Sequence, residues 1–489
     1  MNAYLSIDVG TSSTKVSAYD ARGSLLLSRS AGYSVDVPRA GWAEQDPEDW
    51  WLAVCRIAPE VMAGITRHHV AAISVSGQAP LCVPVDSDGH ALRKAILWLD
   101  RRATPQVDWL TEHIGEERCL EVGANRLDSY FGGIKWLWFR QSEPELFDRT
   151  WKIMQANGFV SWHLTGEAAI DPTQAGLCSP CFDIATGAWD VAICDAMGIP
   201  LGMLPEIRPS TAVIGVVQAD AARASGLPEG TPVVCGGGDF ACACLGAGVI
   251  GRGSGALMLG TAGNLLMPGA SNPDPRLLHT HDVAGAPLTF GGVMAGGNLS
   301  WFAGLFEGSR TDFFGSSDEE AARIPAGSEG LLYLPYLMGE RTPIWDPEAR
   351  GAFVGLTSRH TRAHLYRAVL EGVAFAFRQI VEISGSADLE SIVAIDGGAR
   401  SALWRSIFAS VLGLPVRSGA DGAGTGLGSA FLAALGTGEV TAFEEITRWV
   451  QPRDEIAPES VARNRYDVLY PTYAGLYSKL QPDFRALNG

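Results

Sequence analysis

The chain has 489 residues, more than one hydrophobic core ordinarily supports, so two domains are expected. Its 47% hydrophobic and 19% charged residues suit a folded globular protein, and 58 glycines without a collagen-like period imply many tight turns and close backbone approaches. A formal charge of −17, from 54 acidic and 37 basic residues, argues against a general nucleic-acid binder. The start "MNAYLSIDVG" has neither a basic nor an apolar leader region, and no run approaches the roughly 18 apolar residues of a membrane span. An unexported, cytoplasmic protein without a membrane partner is therefore expected. Nine cysteines, all before residue 245, include Cys178-Ser-Pro-Cys181 and Cys242-Ala-Cys244, but without the second ligand pair of a zinc site they read as reduced structural thiols.

The opening residues read as three successive strands: "YLSIDVG", the alternating "KVSAYD", and "SLLLSRSAGYSV" after the turn "ARG". A dinucleotide-binding opening would instead run from strand to helix. A helix is expected from Pro47 to about Gly64, then a strand "VAAISVSGQ" and a hairpin turning at Asp86–Gly89. From Asp100 to about Gly230 the pattern is mostly helical and irregular. "TPVVCGGGD" is a short buried strand entering a glycine turn, and "GALMLGTAGNLLMPG" repeats the strand–turn–strand pattern of the opening, which suggests a duplicated domain plan. His279-Thr-His281-Asp282 could hold a metal, although a polar loop is the simpler reading. An amphipathic helix is expected to begin near Thr361; strand "SIVAIDGG" then leads to a helix capped by Ser401. The glycine- and alanine-rich "DGAGTGLGSAFLAALGTG" is read as closing the second domain by tight helix packing. The division expected is 1–247 and 248–489, with the last helix a candidate to pack back on the first domain.

The turn in "LSIDVGTSSTK", Leu5 to Lys15, is rich in hydroxyls and ends in lysine. It is not a P-loop: Thr14 stands where glycine must precede the lysine, Val16 follows, and the next segment alternates like a strand. What remains is either a strand–turn–strand phosphate cradle, with Asp8 holding magnesium, or a plain hairpin. A second such turn lies at Gly260-Thr261. "VVCGGGDF" places Asp239 behind three glycines, where an acid can be aimed into a cleft and accept a hydroxyl proton during phosphoryl transfer. Gly397 and Gly398 stand between a buried strand and a helix start, where backbone can approach a nucleotide.

Together these features resemble the FGGY carbohydrate kinases of the actin/hexokinase/Hsp70-like ATPase superfamily, nearly end to end. "DVGTSSTK" looks like the family's first phosphate motif, "GWAEQDPEDWW" like a xylulokinase segment, and "GAFVGLTSRHTRAHLYRAVLEG" like the C-terminal signature, with Gly351, Gly355, His364, Ala368 and Glu371 in place. The other signature, "YFGGIKWLWFRQ", keeps Lys135 and Trp138 but has Gly132 where Pro, Ser or Thr is usual.

The resemblance implies an α/β protein of two actin-like (ribonuclease H-like) ATPase domains with mixed sheets flanked by helices and a catalytic cleft, sugar mainly on the first and ATP on the second. It implies Asp239 as catalytic base and Asp8 as organiser of Mg²⁺, both as metal ligands. It places Thr11, Ser12 and Lys15 near the transferring phosphate, Gly260 and Thr261 at the β/γ-phosphates, and Gly397, Gly398 and Ala399 against the adenosine. Gln78, Ala79, Trp98, Asp100 and Tyr130, with Asp239, would meet the sugar or polyol. D-xylulose, converted to its 5-phosphate, is the leading substrate. Alternatives are ribulose, another ketose, a glycerol- or erythritol-like polyol, or a regulator without turnover, and a homodimer is the default oligomer. Four departures loosen the substrate: Ala79-Pro80 replaces the usual Met-His pair, Leu99 an Asn, Phe240 the Asn after the base, and Tyr130 sits in a loop like that of glycerol kinases.

Overall fold

A computed structural model describes residues 1–270, 273–306, 310–419, 422–450 and 453–488. Contacts divide the chain into two units, one of Met1–Ile250, His279–Leu288 and Asp421–Gln451, the other of Gly251–Leu278, Thr289–Ala420 and Pro452–Gly489. The first unit thus takes back two segments from beyond residue 247, where the sequence suggested a single cut.

In the first unit β1 (Asn2–Val9), β2 (Ser13–Asp20) and β3 (Leu25–Gly32) form an antiparallel meander. α1 (Pro47–Gly64) follows, capped by the Asp46 carboxylate and started by proline, as its sequence predicts. β4 (His69–Gly77) lies parallel to β1. After the one-turn helix α2 (Pro172–Ala175) come β5 (Val213–Val216) and β6 (Pro232–Gly238). The sheet order is β5-β6-β4-β1-β2-β3, with β6 parallel to β4 and β5 antiparallel to β6. The inward faces of β1, β2, β4 and α1 share one core around Ile7, Val16, Trp50 and Val75.

α3 (Asp239–Gly246) leaves β6 without a break. In the second unit β7 (Ser254–Leu259), β8 (Ala262–Pro268) and β9 (Pro287–Met294) come next. α4 (Arg362–Ser384), β10 (Ser391–Ile395), α5 (Ala402–Leu412) and β11 (Val416–Ser418) follow. After α6 (Thr425–Gly436) the two-residue β12 (Glu455–Ile456) completes the neighbour order β9-β8-β7-β10-β11-β12. β7 is antiparallel to β8 and parallel to β10, as β1 is to β2 and β4. The duplicated plan is that of two actin-like domains.

α6 belongs with the first unit because of its small residues, which let it cross α3 at backbone distance. A Cβ on Gly428 would lie 1.9 Å from the Cys242 carbonyl oxygen. The segment expected to close the second domain is therefore built into the first. The last helix, Leu476–Asn488, is counted with the second unit, where Tyr477 and Gln481 donate to Asp346. His279-Thr-His281 is a strand rather than a loop: His279 exchanges two backbone bonds with the Asn125 amide, and the Thr280 hydroxyl donates to the Thr173 carbonyl at 2.7 Å. All nine cysteines are free and eight are buried. Among the described residues no helix is long and apolar enough to cross a membrane.

Candidate active site

The β1–β2 hairpin turns at Gly10–Ser12, closed by the Gly10 amide on the Ser13 carbonyl at 3.1 Å. The register sets Asp8 opposite Lys15 and beside Ser76 on β4, whose hydroxyl donates to Asp8 at 3.0 Å. Lys15 and Ser12 are exposed, Asp8 and Thr11 half-buried. Desolvation pushes the Asp8 carboxyl up to about 6, against the lowering influence of Ser76 and Lys15.

Asp239 is the first residue of α3, at the helix end that favours a carboxylate, and its Oδ1 accepts from the Phe240 amide at 2.7 Å. Desolvation, then the neighbouring Asp8 charge, push it up to about 7. The strand feeding it needs its glycines: Gly236 has φ +74°, and a Cβ there would sit 2.0 Å from the Val75 carbonyl oxygen. The two carboxylates, Asp8 raising the proton affinity of Asp239, offer hard oxygen donors, the donor chemistry of Mg²⁺.

Thr11, Gln78 and Trp98, expected at different ligands, meet in one network. The Trp98 indole donates to Thr11 Oγ1 at 3.0 Å, and Thr11 donates to Gln78 Oε1 at 3.1 Å. Gln78 Nε2 donates to Gln45 Oε1 at 2.9 Å and Gln45 Nε2 to the Thr11 carbonyl at 2.6 Å. These amides brace the phosphate turn. Ala79 is buried one residue beyond, where Gln155 holds Leu81 through 2.7 and 3.1 Å bonds.

Asp100 is placed differently from the expectation. It is fully buried, one oxygen accepts from the Ala43 amide at 2.6 Å, and both face the Arg102 guanidinium. Arg102 also pairs with Glu44 at 2.7 Å and stacks 3.6 Å over the Trp42 ring. With its oxygens so engaged, Asp100 braces the wall. Tyr130 is buried in a loop that Asp128 ties to Arg101 at 2.6 Å. Lys135 Nζ, fully buried, donates to the carbonyls of Ser129 and Tyr130.

In the second unit Gly260, Thr261, Gly397 and Gly398 line a single cavity of about 640 Å³, with Asp318, Tyr366, Ser401 and Trp404. The Gly296 and Gly297 amides bind the carbonyls of Gly260 and Thr261 at 2.9 Å each and so fix that turn. β10 is followed by Asp396 at φ +72°, one 3₁₀ turn spans Gly397–Arg400, and the Ser401 hydroxyl caps α5 by accepting from the Trp404 amide at 3.0 Å. Ala399 points elsewhere: it is buried in the unit's core and does not line the cavity. Glu371, a signature residue, is structural and accepts from Arg367, Gly327, Ser328 and Tyr466.

Sequence reasoning missed Gln45, Asp171, Thr173 and Gln174 in the first unit, and Asp318 and Tyr366 in the second. Asp171-Pro-Thr carries a legible signal, a helix cap followed by proline. Gln45 sits in the quoted "GWAEQDP", and nothing local marks Asp318.

Residues 3–246 match the N-terminal domain model, and 256–437 the C-terminal domain model, of the FGGY family of carbohydrate kinases. A xylulose kinase of Lactococcus lactis is 33% identical over 98% of this chain and 97% of its own. The solved xylulose kinase of Rhodospirillum rubrum superposes with a TM-score of 0.91 at 32% identity, covering 99% of this chain and all of the other. A gluconate kinase from Lactobacillus acidophilus superposes with a TM-score of 0.92 at 27% identity, covering 99% of both.

Proposed function

The chain belongs to the FGGY family of carbohydrate kinases, ATP-dependent sugar phosphotransferases, and from this we propose that it phosphorylates a ketopentose, D-xylulose foremost, to D-xylulose 5-phosphate. The observation that carries the chemistry is Asp239, poised near 7 at the end of a glycine-relieved strand in the same unit as Asp8 and the phosphate hairpin. A general base works best with a pKa near the working pH. Asp239 accepts the proton of the attacking primary hydroxyl as its oxygen bonds the terminal phosphorus of ATP, and the bond to the ADP oxygen breaks. Lys15, Thr11 and Ser12 hold the transferring phosphate, while the 640 Å³ cavity takes the nucleoside and the Gly260–Thr261 turn its inner phosphates. Mg²⁺, held by Asp8 and Asp239, spreads charge over the phosphates when bound.

The near end-to-end likeness to xylulose kinases supports D-xylulose. Another ketose or polyol is favoured by one observation, that Ala79-Pro80 replaces the usual pair, while a gluconate kinase that superposes as well as a xylulose kinase does brings a sugar acid into the test. A cytoplasmic location and a homodimer are proposed with it, the latter checked by light scattering on the eluting protein. The test is ADP release with ATP and Mg²⁺ against D-xylulose, D-ribulose, gluconate, glycerol and erythritol. The strongest stimulation is expected from D-xylulose. Stimulation by another member instead moves the substrate, and none by any member points to a regulator without turnover.

A further inference from the structure

The helix α2 is only one turn long, yet it is tied to the ends of two catalytic strands in the first unit. The Gly238 amide, immediately before Asp239, donates to Thr173 Oγ1 at 2.8 Å, and the Thr173 hydroxyl donates in turn to Asp171 Oδ1. The adjacent Gln174 Nε2 donates to the Gly77 carbonyl at 3.3 Å, at the end of β4 beside the hairpin that carries Asp8. β6 slips out of register with β4 between Val234 and Gly237 and then pairs again, Gly237 with Ser76 and Gly238 with Gly77, so the irregularity re-aims the strand just before Asp239. The Thr173 hydroxyl adds a side-chain anchor at the last paired residue, Gly238. A Cβ on Gly237 would lie 3.4 Å from that hydroxyl and 3.5 Å from Asp171 Oδ1, so the strand end rests directly on the pair.

The arrangement is not what stability alone would select. Asp171 is wholly buried, and among the described residues neither its Oδ2 nor Gln174 Oε1 has a hydrogen-bond donor. A buried carboxylate with one oxygen unsatisfied costs stability, and such groups call for a reason.

We infer that Thr173, oriented by Asp171, is a positioning residue that sets the Asp239 turn for phosphoryl transfer. The inference rests on the kinase reading with Asp239 as base. A displacement of about 1 Å at a catalytic group is enough to lower rate by about 10²-fold.

The experiment compares the full chain with Thr173→Val, which keeps the shape and removes the hydroxyl, and Thr173→Ser, which keeps the hydroxyl. Two readouts are taken: steady-state kinetics on the most active sugar, and hydrogen exchange of the peptide spanning 234–240. Thr173→Val is expected to lower kcat at least about tenfold, with KM for ATP within about twofold, and to lower the melting temperature modestly because the buried Gly238 amide loses its acceptor. Exchange at Gly238 is expected to quicken, and Thr173→Ser to restore both. A Thr173→Val enzyme with parental kcat, or a kcat loss that Thr173→Ser does not recover, overturns the inference. A parent inactive on every sugar overturns the functional reading, and this inference with it, before any variant is compared.

Discussion

Lys135, from a family signature, and Asp100, an expected sugar contact, show how such side chains act through the protein before any ligand arrives. Burial, then Arg101, push the Lys135 ammonium down to about 7. Its folded pKa lies below the unfolded value, so from about pH 7 to 10.5 the unfolded chain binds more protons, and this group's contribution to stability rises with pH through that window. The unfolding free energy of the parent minus that of Lys135→Met should therefore grow between pH 7 and 9, by at most about 1.4 kcal/mol per pH unit. Urea melts at both pH values measure it, and a difference flat with pH contradicts it. Asp100→Ala leaves the fully buried Arg102 guanidinium with Glu44 as its remaining carboxylate partner. Breaking a buried pair costs about 3–5 kcal/mol, so a large drop in the urea midpoint is expected. A variant as stable as the parent but with a raised sugar KM would return Asp100 to the sugar.

At the level of elements, what was legible was local. Pro47–Gly64 and the Ser401 cap follow from neighbours in sequence, and the hairpin of Asp8 and Lys15 from alternation around one turn. What was not legible depends on partners far along the chain. The hairpin turning at Asp86–Gly89 forms, with Val85 bridged to Ala91 and Cys82 to Ile96, but the further pairing of Val83–Val85 with Lys152–Met154 joins segments too far apart to be read locally. Trp98 and Gln78 are expected at the sugar, while their bonds to Thr11 span 87 and 67 residues, and no local pattern reveals them. The stripe of small residues in α6 announced a close helix crossing without naming the partner. That partner is α3, and the Thr425 hydroxyl donates to the Asp239 carbonyl at 3.2 Å. Gly428→Ala drives a methyl group into the Cys242 carbonyl, and overpacking of this kind costs about 1–3 kcal/mol. The melting temperature should fall and kcat with it, because α3 begins at the base. A variant unchanged in both would show that the crossing relaxes freely.

For the molecule as a whole, the duplicated sheet plan explains why two similar turns, Gly10–Ser12 and Gly260–Thr261, begin corresponding hairpins in the two units. The actin-like plan could be read from that repeat and from the resemblance it supports. The substrate could not, because the residues that usually name it are Ala79 and Pro80, and the polar groups around them are occupied by the protein itself. The central claim is that Asp239 acts as base in sugar-stimulated phosphoryl transfer. It is tested most directly by ADP release with D-xylulose, ATP and Mg²⁺ in the parent and in Asp239→Ala, alongside ATP binding by calorimetry. The expected result is sugar-stimulated turnover in the parent, a loss of at least about 10²-fold in the variant, and unchanged ATP affinity. Near-parental turnover in Asp239→Ala would contradict it.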